Sequence, residues 1–325
     1  MKGGGSAGAE MSSGRRPIAL NINFDSIAAC LEAKGVEVDR RTFVDPSFGT
    51  IMDRFHRLAD EYGAPLTIYV IGHDLESSAN RSAVRAWSER GDEIGNHTWT
   101  HVQGLSRLSL DETRREIRRA HDVIAETVGR PPTGFIAPGW ATTRFVVQTL
   151  IELDYRYDTS LAPSWVQLVG QAKLRLSSSG IVEVPLLRRG DLTGLLWGSR
   201  HAYRATTSRP WRPNRTGLPM LPLPTGPWRM PVWHTMGFLM SRARWEKLLR
   251  SAIADTGAFY YLMHPLDLLD PDTDLVGLPD AIRKIDRALV PLEEKLRLLR
   301  RSLDIVAEYA EFVTMERLAE QAFSR

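Results

Sequence analysis

Residues 66–98 read LTIYVIGHDLESSANRSAVRAWSERGDEIGNHT, and this stretch decides the class of fold. Leu66 to Gly72 is a short apolar, β-branched run, the composition of a buried strand. A helical stretch around Arg81 to Glu89 follows and is stopped by Gly91. Asp92 to Thr98 is then a second strand that runs into a polar turn. A strand, a helix and another strand in this order are the unit of a parallel α/β architecture.

Working outward, the unit repeats. Ile18 to Phe24 is a strand, and Pro46 to Tyr62 is a helix with Ile51, Phe55 and Leu58 on one face and Gly63 as its stop. Ser109 and Glu112 form a capping box ahead of a charged helix that reaches Val128 and ends at Gly129 and Pro131-Pro132. A strand at Gly134 to Ala137, a helix at Thr143 to Leu153 and short strands at Tyr155 to Asp158 and Ile181 to Leu187 come next. Later come a helix at Arg242 to Ala254, a strand at Phe259 to Met263, a long helix inside Leu278 to Leu303, a strand near Tyr309 to Thr314 and a terminal helix. Seven to eight βα units predict a distorted or incomplete (β/α) barrel, a single domain over 16–325. Ser199 to Trp233 breaks the rhythm with seven prolines, six arginines, three tryptophans and no acidic residue, and is expected to be an irregular insertion.

Composition narrows the chemistry. A single cysteine, Cys30, excludes an intramolecular disulfide and a multi-thiolate metal site, so any metal must use imidazole and carboxylate. Residues 1–15 are Gly- and Ser-rich with no apolar core after them, and are expected to be a disordered tail rather than a signal peptide. No run approaches the roughly 18 apolar residues of a membrane span. The expected location is cytoplasmic. A net charge of +3 spread over 325 residues points away from nucleic acid.

The sharpest local signal is Asn96-His97-Thr98-Trp99-Thr100-His101, two imidazoles four residues apart after a strand. Asp25 ends the first strand, so in a barrel its carboxylate projects into the same mouth. Two imidazoles and one carboxylate are the composition of a catalytic divalent site. The competing role for Asp25 is to cap the stretch that starts at Ser26. His264 closes the strand Phe259 to Met263 at the same barrel end, where an imidazole is suited to protonate a leaving amine; its other reading is a satisfied core histidine.

On these residues the chain resembles the NodB-type polysaccharide deacetylases, carbohydrate esterase family four. In branches whose first motif is D-x-D, the first Asp is the base and the second binds metal; here Asn23-Phe24-Asp25 stands in that place. The second motif, H-[ST]-x-x-H, is matched in full by His97 to His101. A third appears as Ile136-Ala137-Pro138-Gly139-Trp140, and the late Leu-His-Pro motif as Leu262-Met263-His264-Pro265. The resemblance implies a metal-dependent hydrolase that removes an N-acetyl or N-formyl group from an amino sugar, free or carrier-linked. It implies one divalent metal on Asp25, His97 and His101. Zinc is favoured by the imidazoles, with manganese, cobalt or nickel as alternatives. It makes His264 the acid and Pro138, Gly139, Trp140 and Trp99 the sugar-contacting residues. The Ala-x-Gly-Trp form of the third motif and Tyr155-Arg156-Tyr157-Asp158-Thr159-Ser160 look most like the deformylase of polyprenyl-phosphate-linked formamido-arabinose.

Two departures from the pattern are linked. Asn23 has no carboxylate to take a proton, and Ile136 replaces the Arg that pairs with the base in many members; without the acid that Arg would be a buried unpaired charge. Three readings of Asn23 stand: another acid, best placed at Asp74, acts as base; metal-bound water ionises with little help; or the position is inactivated. The last leads to the alternative function, a catalytically impaired carbohydrate-binding protein. The arginines and tryptophans of 199–233 suit either a peripheral contact with anionic lipid or a Pro-stiffened lid.

Overall fold

The structure, a computed structural model, describes residues 15–166, 194, 196–285 and 287–324. The expected strand at Ile181 to Leu187 and the tail before Arg15 lie outside the described residues. Strand β1 (Arg16–Phe24) sets the geometry, because side chains alternate across a strand. Ile18, Leu20, Ile22 and Phe24 join the cluster under the helices, while Ala19 packs with Tyr69, Ile136, Tyr157, Tyr260 and Leu262 in a second, inner cluster. Asn21 and Asn23 share the face of Ala19, so the inner side of β1 turns polar toward its C-terminal end.

The remaining elements follow the predicted alternation. They are α1 (Ile27–Glu32), α2 (Thr50–Glu61), β2 (Leu66–Val70), α3 (Ser78–Glu89), β3 (Glu93–Asn96), α4 (Leu110–Val128), β4 (Gly134–Phe135), α5 (Arg144–Glu152) and β5 (Tyr157–Asp158). After them come β6 (Tyr203–Thr206), β7 (Arg209–Asn214), β8 (Leu218–Met220), α6 (Arg242–Asp255), β9 (Tyr260–Met263), α7 (Leu292–Ala307), β10 (Ala310–Val313) and α8 (Met315–Phe323). The capping box of α4 is formed as expected, with Gly129 in the left-handed region closing the helix. The long helix expected inside Leu278 to Leu303 starts only at Leu292. Pro291 occupies its N-cap position, and a separate 3-10 turn at Asp280–Lys284 precedes it.

The fold is a distorted α/β barrel. Parallel ladders run β1-β2-β3-β4-β5, then β5 to β8, and the other edge of β1 pairs with β10 and then β9. The ring closes through two isolated bridges, Thr225 with Pro231 and Trp233 with Leu262.

That closure corrects the expectation of an irregular insertion over 199–233. The segment forms the antiparallel set β6, β7 and β8 and then part of the barrel wall. Prolines in it read as breakers, but Pro210 and Pro213 lie in β7, the last strand of the sheet order. An edge strand tolerates a residue without N–H.

The inner floor of the barrel is polar. Tyr69 and Tyr157 share a hydroxyl hydrogen bond of 3.0 Å, and Tyr157 donates to Glu93 Oε1 at 2.6 Å. Glycine is required here: a Cβ on Gly95 would meet Tyr69 Cδ1 at 2.4 Å, and one on Gly134 would meet the Tyr157 hydroxyl at 2.1 Å. Burial pushes the Glu93 carboxyl up to about 7, against the hydrogen bonds from Tyr157, Glu316 N and Thr67 that favour its anion. A raised carboxyl contributes stability that is fully present below its unfolded value near 4.5 and is lost as pH rises through about 7. The stability advantage of wild type over Glu93→Gln should therefore shrink between those pH values, by up to about 3 kcal/mol. Urea melts of both proteins across that range measure it, and a difference independent of pH would overturn the assignment.

Candidate metal centre and active site

The site is assembled at the C-terminal ends of β1, β3 and β9. Asp25 lies just beyond β1, its N–H donating to Asn23 O at 2.8 Å. Ser26, not Asp25, caps α1: its Oγ accepts from Ala29 N at 3.1 Å. The Asp25 carboxylate is thus left for the barrel mouth. After β3, His97 N–H donates to Val70 O, and Thr98 N–H donates to Asn96 Oδ1 at 2.7 Å. Thr98 and His101 both have left-handed backbones, with φ of 66° and 57°. Non-glycine residues are rare there, and such strain concentrates at functional sites. The twist folds the turn so that both imidazoles meet one carboxylate.

Asp25 Oδ1 lies 3.2 Å from His97 Nε2 and 3.1 Å from His101 Nε2. His97 Nδ1 donates to Ile136 O at 2.7 Å, and that bond leaves the Nε2 lone pair facing Asp25. Burial alone would raise the Asp25 carboxyl, but the His101 and His97 imidazoles hold it well below the ordinary carboxylate range. Burial pushes the His97 imidazole down, toward the neutral form that a ligand needs. Asp25, His97 and His101 each offer a donor atom, all within 4.8 Å of one another. Two imidazoles and one carboxylate oxygen, with the tautomer of His97 fixed from behind, fit a divalent cation.

His264 follows β9, and its N–H donates to Asp267 Oδ2 at 2.8 Å. Its Nδ1 is 3.9 Å from the same oxygen, and Arg287 Nε is 3.4 Å from Asp267 Oδ1. Asp267 is fully buried, as is His234, whose Nδ1 meets the Tyr261 hydroxyl at 2.7 Å. Burial pushes the His234 imidazole down to about 4. His264 is therefore backed by an acid and an arginine that sequence reasoning did not single out. The available signal was Asp267 three residues after His264, the spacing of a capping pair.

Asn23 is buried on the inner face of β1, with no partner for Oδ1 among the described residues. Ile136 is also fully buried. Asp74 forms a buried ion pair with Arg40 and accepts a hydrogen bond from Ser26 Oγ, beside Asp25, at 3.1 Å. Arg40 is held in turn by Glu32, through Nε to Oε1 at 3.0 Å and Nη2 to Oε2 at 2.6 Å. Neither Arg40 nor Ser26 was anticipated, since no local pattern links positions so far apart in the chain.

Pro138, Gly139 and Trp140 form a 3-10 turn after β4, and Trp140 stacks on Trp233 with centroids 5.1 Å apart. Pro138 has no N–H and that of Trp140 is spent on Ala137 O, so an oxyanion donor from this turn would have to be Gly139. Trp99 corrects the expectation of a sugar contact. It is 7% exposed and packed in the core, the Arg119 guanidinium lying 3.7 Å over its ring. The left-handed Thr98 that aims the two histidines carries the intervening Trp99 away toward α4.

The family model for polysaccharide deacetylases matches residues 41–157. Among curated proteins, a peptidoglycan deacetylase of Helicobacter pylori is 24% identical over 150 residues, 44% of this chain and 49% of that protein. The chain thus matches about half the length of that relative. Among solved structures, an assigned polysaccharide deacetylase from Mycobacterium smegmatis superposes with a TM-score of 0.57 at 16% identity, covering 97% of this chain and 93% of that one. A family 4 acetyl xylan esterase from Clostridium thermocellum, solved with a cobalt ion, covers 41% of this chain and 54% of its own at 21% identity and a TM-score of 0.32.

Proposed function

Since this chain belongs to the NodB-type polysaccharide deacetylase superfamily, we propose that it is a metal-dependent hydrolase removing an N-acetyl or N-formyl group from an amino sugar. The observation that carries the reading is the convergence of Asp25, His97 and His101, with His97 held in the ligating tautomer by Ile136 O. A divalent ion held by these three residues supplies, when bound, Lewis acidity toward an amide carbonyl and a lowered pKa for water. His264 delivers the proton that the departing amine needs as the C–N bond breaks. Gly139 N–H is the backbone donor available to the developing oxyanion. The stacked Trp140 and Trp233 offer an aromatic wall of the kind that packs against a sugar ring. Asn23 can orient a water through its amide but cannot accept its proton.

The second reading, a carbohydrate-binding protein without turnover, is favoured by the same Asn23. Mass spectrometry of N-acetyl and N-formyl amino sugars incubated with zinc-, cobalt- or manganese-loaded protein tests the proposal. Free amine with acetate or formate is expected, with no product from His97→Ala, which loses a ligand. Saturable sugar binding with no product under any of the three metals would support the binding protein instead.

A further inference from the structure

The described part of the loop after β5, the turn at Gly198 and the loop after β8 are lashed together by hydrogen bonds. Trp165 Nε1 donates to Trp228 O at 2.8 Å, and Arg229 Nη1 donates to Gly198 O at 3.0 Å and to Pro163 O at 3.4 Å. Arg200 grips the same loop from the other side, through Thr225 Oγ1 at 3.0 Å and the carbonyls of Thr225 and Gly226 at 2.9 and 3.1 Å. This rigid frame presents three indoles to solvent: Trp228 is 89% exposed, Trp197 75% and Trp165 40%. Leu196, next to Trp197 in the chain, is also exposed.

Trp228 and Arg229 hold left-handed backbones at φ 59° and 57°. A bulky residue in that region costs free energy. Here the strain keeps a large apolar ring outward, where burial gives nothing back.

The segment that carries Trp228 is charged with one sign only. Residues 199–233 carry six arginines and no acid. Arg200 and Arg229 are spent on carbonyls and Arg204 on Gly217 O, but Arg209, Arg212 and Arg215 are exposed and form no ion pair among the described residues. They flank Trp211, whose ring packs against Gly194, beside the turn that carries Trp197.

Two of the three tryptophans of 199–233 are half-buried, Trp211 donating to Thr142 O and Trp233 stacking on Trp140. Trp228 is joined instead by Trp165 and Trp197 from outside that segment.

We propose that this face is a docking surface for an anionic phospholipid bilayer. Indole rings have an apolar body and a polar N–H and settle at the headgroup level, and unpaired guanidiniums bind phosphate through paired N–H groups. Rings without cations would suit any apolar partner, and cations without rings any polyanion; the two together select a surface that is apolar beneath and anionic above. The loops after β5 and β8 leave the barrel at the same end as Asp25, His97 and His264, because β8 and β5 run parallel. Docking therefore brings the candidate active site to the membrane plane. The proposal does not depend on what the site does.

Co-sedimentation of the full chain with vesicles tests it. Phosphatidylcholine vesicles containing phosphatidylglycerol should pull the protein down at low salt, and pure phosphatidylcholine vesicles should not. Each cation near such a surface is worth roughly fivefold in partitioning, so replacing Arg209, Arg212 and Arg215 by Gln should weaken binding by about 10²-fold and flatten its salt dependence. Trp197→Ala with Trp228→Gly, both at exposed positions and the second relieving a left-handed backbone, should also release the protein, with no loss of thermal stability. The proposal is overturned if wild type stays in the supernatant at low salt, if it binds both vesicle types equally, or if both variants bind as wild type does. Retention on heparin without vesicle binding would likewise overturn it.

Discussion

Asn23→Asp is expected to raise kcat/KM for amide hydrolysis by about 10²- to 10⁴-fold, the usual worth of a positioned general base. Asn23 lies on the inner face of β1, two residues before the Asp25 that meets both imidazoles, and its Oδ1 is buried without a partner among the described residues. Asp has the same shape, so the substitution changes charge and basicity but little else. No arginine waits to pair with the new carboxylate, because Ile136 stands where many members carry one. A carboxyl acts as a base only in its ionised form. The activity of the variant should therefore rise with pH through the ionisation of residue 23, a limb that wild type lacks. Rates of metal-loaded wild type and variant on one N-acylated amino sugar, measured across pH, check both points. If wild type turns over nothing and the variant does, the binding-protein reading is favoured for the natural chain. If the variant is no faster than an active wild type, residue 23 is not the base position.

The second large effect is on stability. Arg40→Ala should cost about 3–5 kcal/mol, because it leaves the Asp74 carboxylate buried without its cation. Asp74 and Arg40 are both nearly inaccessible, and Asp74 Oδ1 also receives the Ser26 hydroxyl. Asp74→Asn should be milder, since the amide oxygen can still accept from Ser26 and Arg40 keeps Glu32. The double variant Arg40→Ala/Asp74→Ala should lose less than the sum of its singles, as it removes the stranded charge. Urea melts of these three variants and of Asp74→Ala measure the effects. An Arg40→Ala loss below about 1 kcal/mol would sink the buried-pair account.

The same variants decide the role of Asp74. The Arg40 pair and the absence of solvent contact make it a poor proton acceptor, so we read it as a residue that holds Ser26, the neighbour of Asp25, in place. Asp74→Asn should then keep kcat/KM within about tenfold of wild type, where loss of a general base would cost about 10²-fold or more. A drop of that size at unchanged stability would make Asp74 the base.

What the sequence determined by itself was local. The alternation of apolar strands and amphipathic helices, the capping box at Ser109 and Glu112, and the His97 to His101 spacing each depend on residues a few positions apart, where backbone geometry fixes which side chains share a face. The parallel barrel follows from that repeat, and with it the meeting of strand ends that brings Asp25 to two histidines some seventy residues away. Tertiary structure alone decided which partners stand behind those residues. Ile136 O orients His97, Asp267 and Arg287 back His264, and Arg40 neutralises Asp74. It also turned Trp99 into the core and made a wall of the proline-rich segment, against the local expectation for both. The physical reason is the same in each case. A side chain's hydrogen bonds, burial and ion pairs are set by neighbours that chain folding supplies from far away, and no periodicity in the sequence records which of several chemically equivalent residues will arrive.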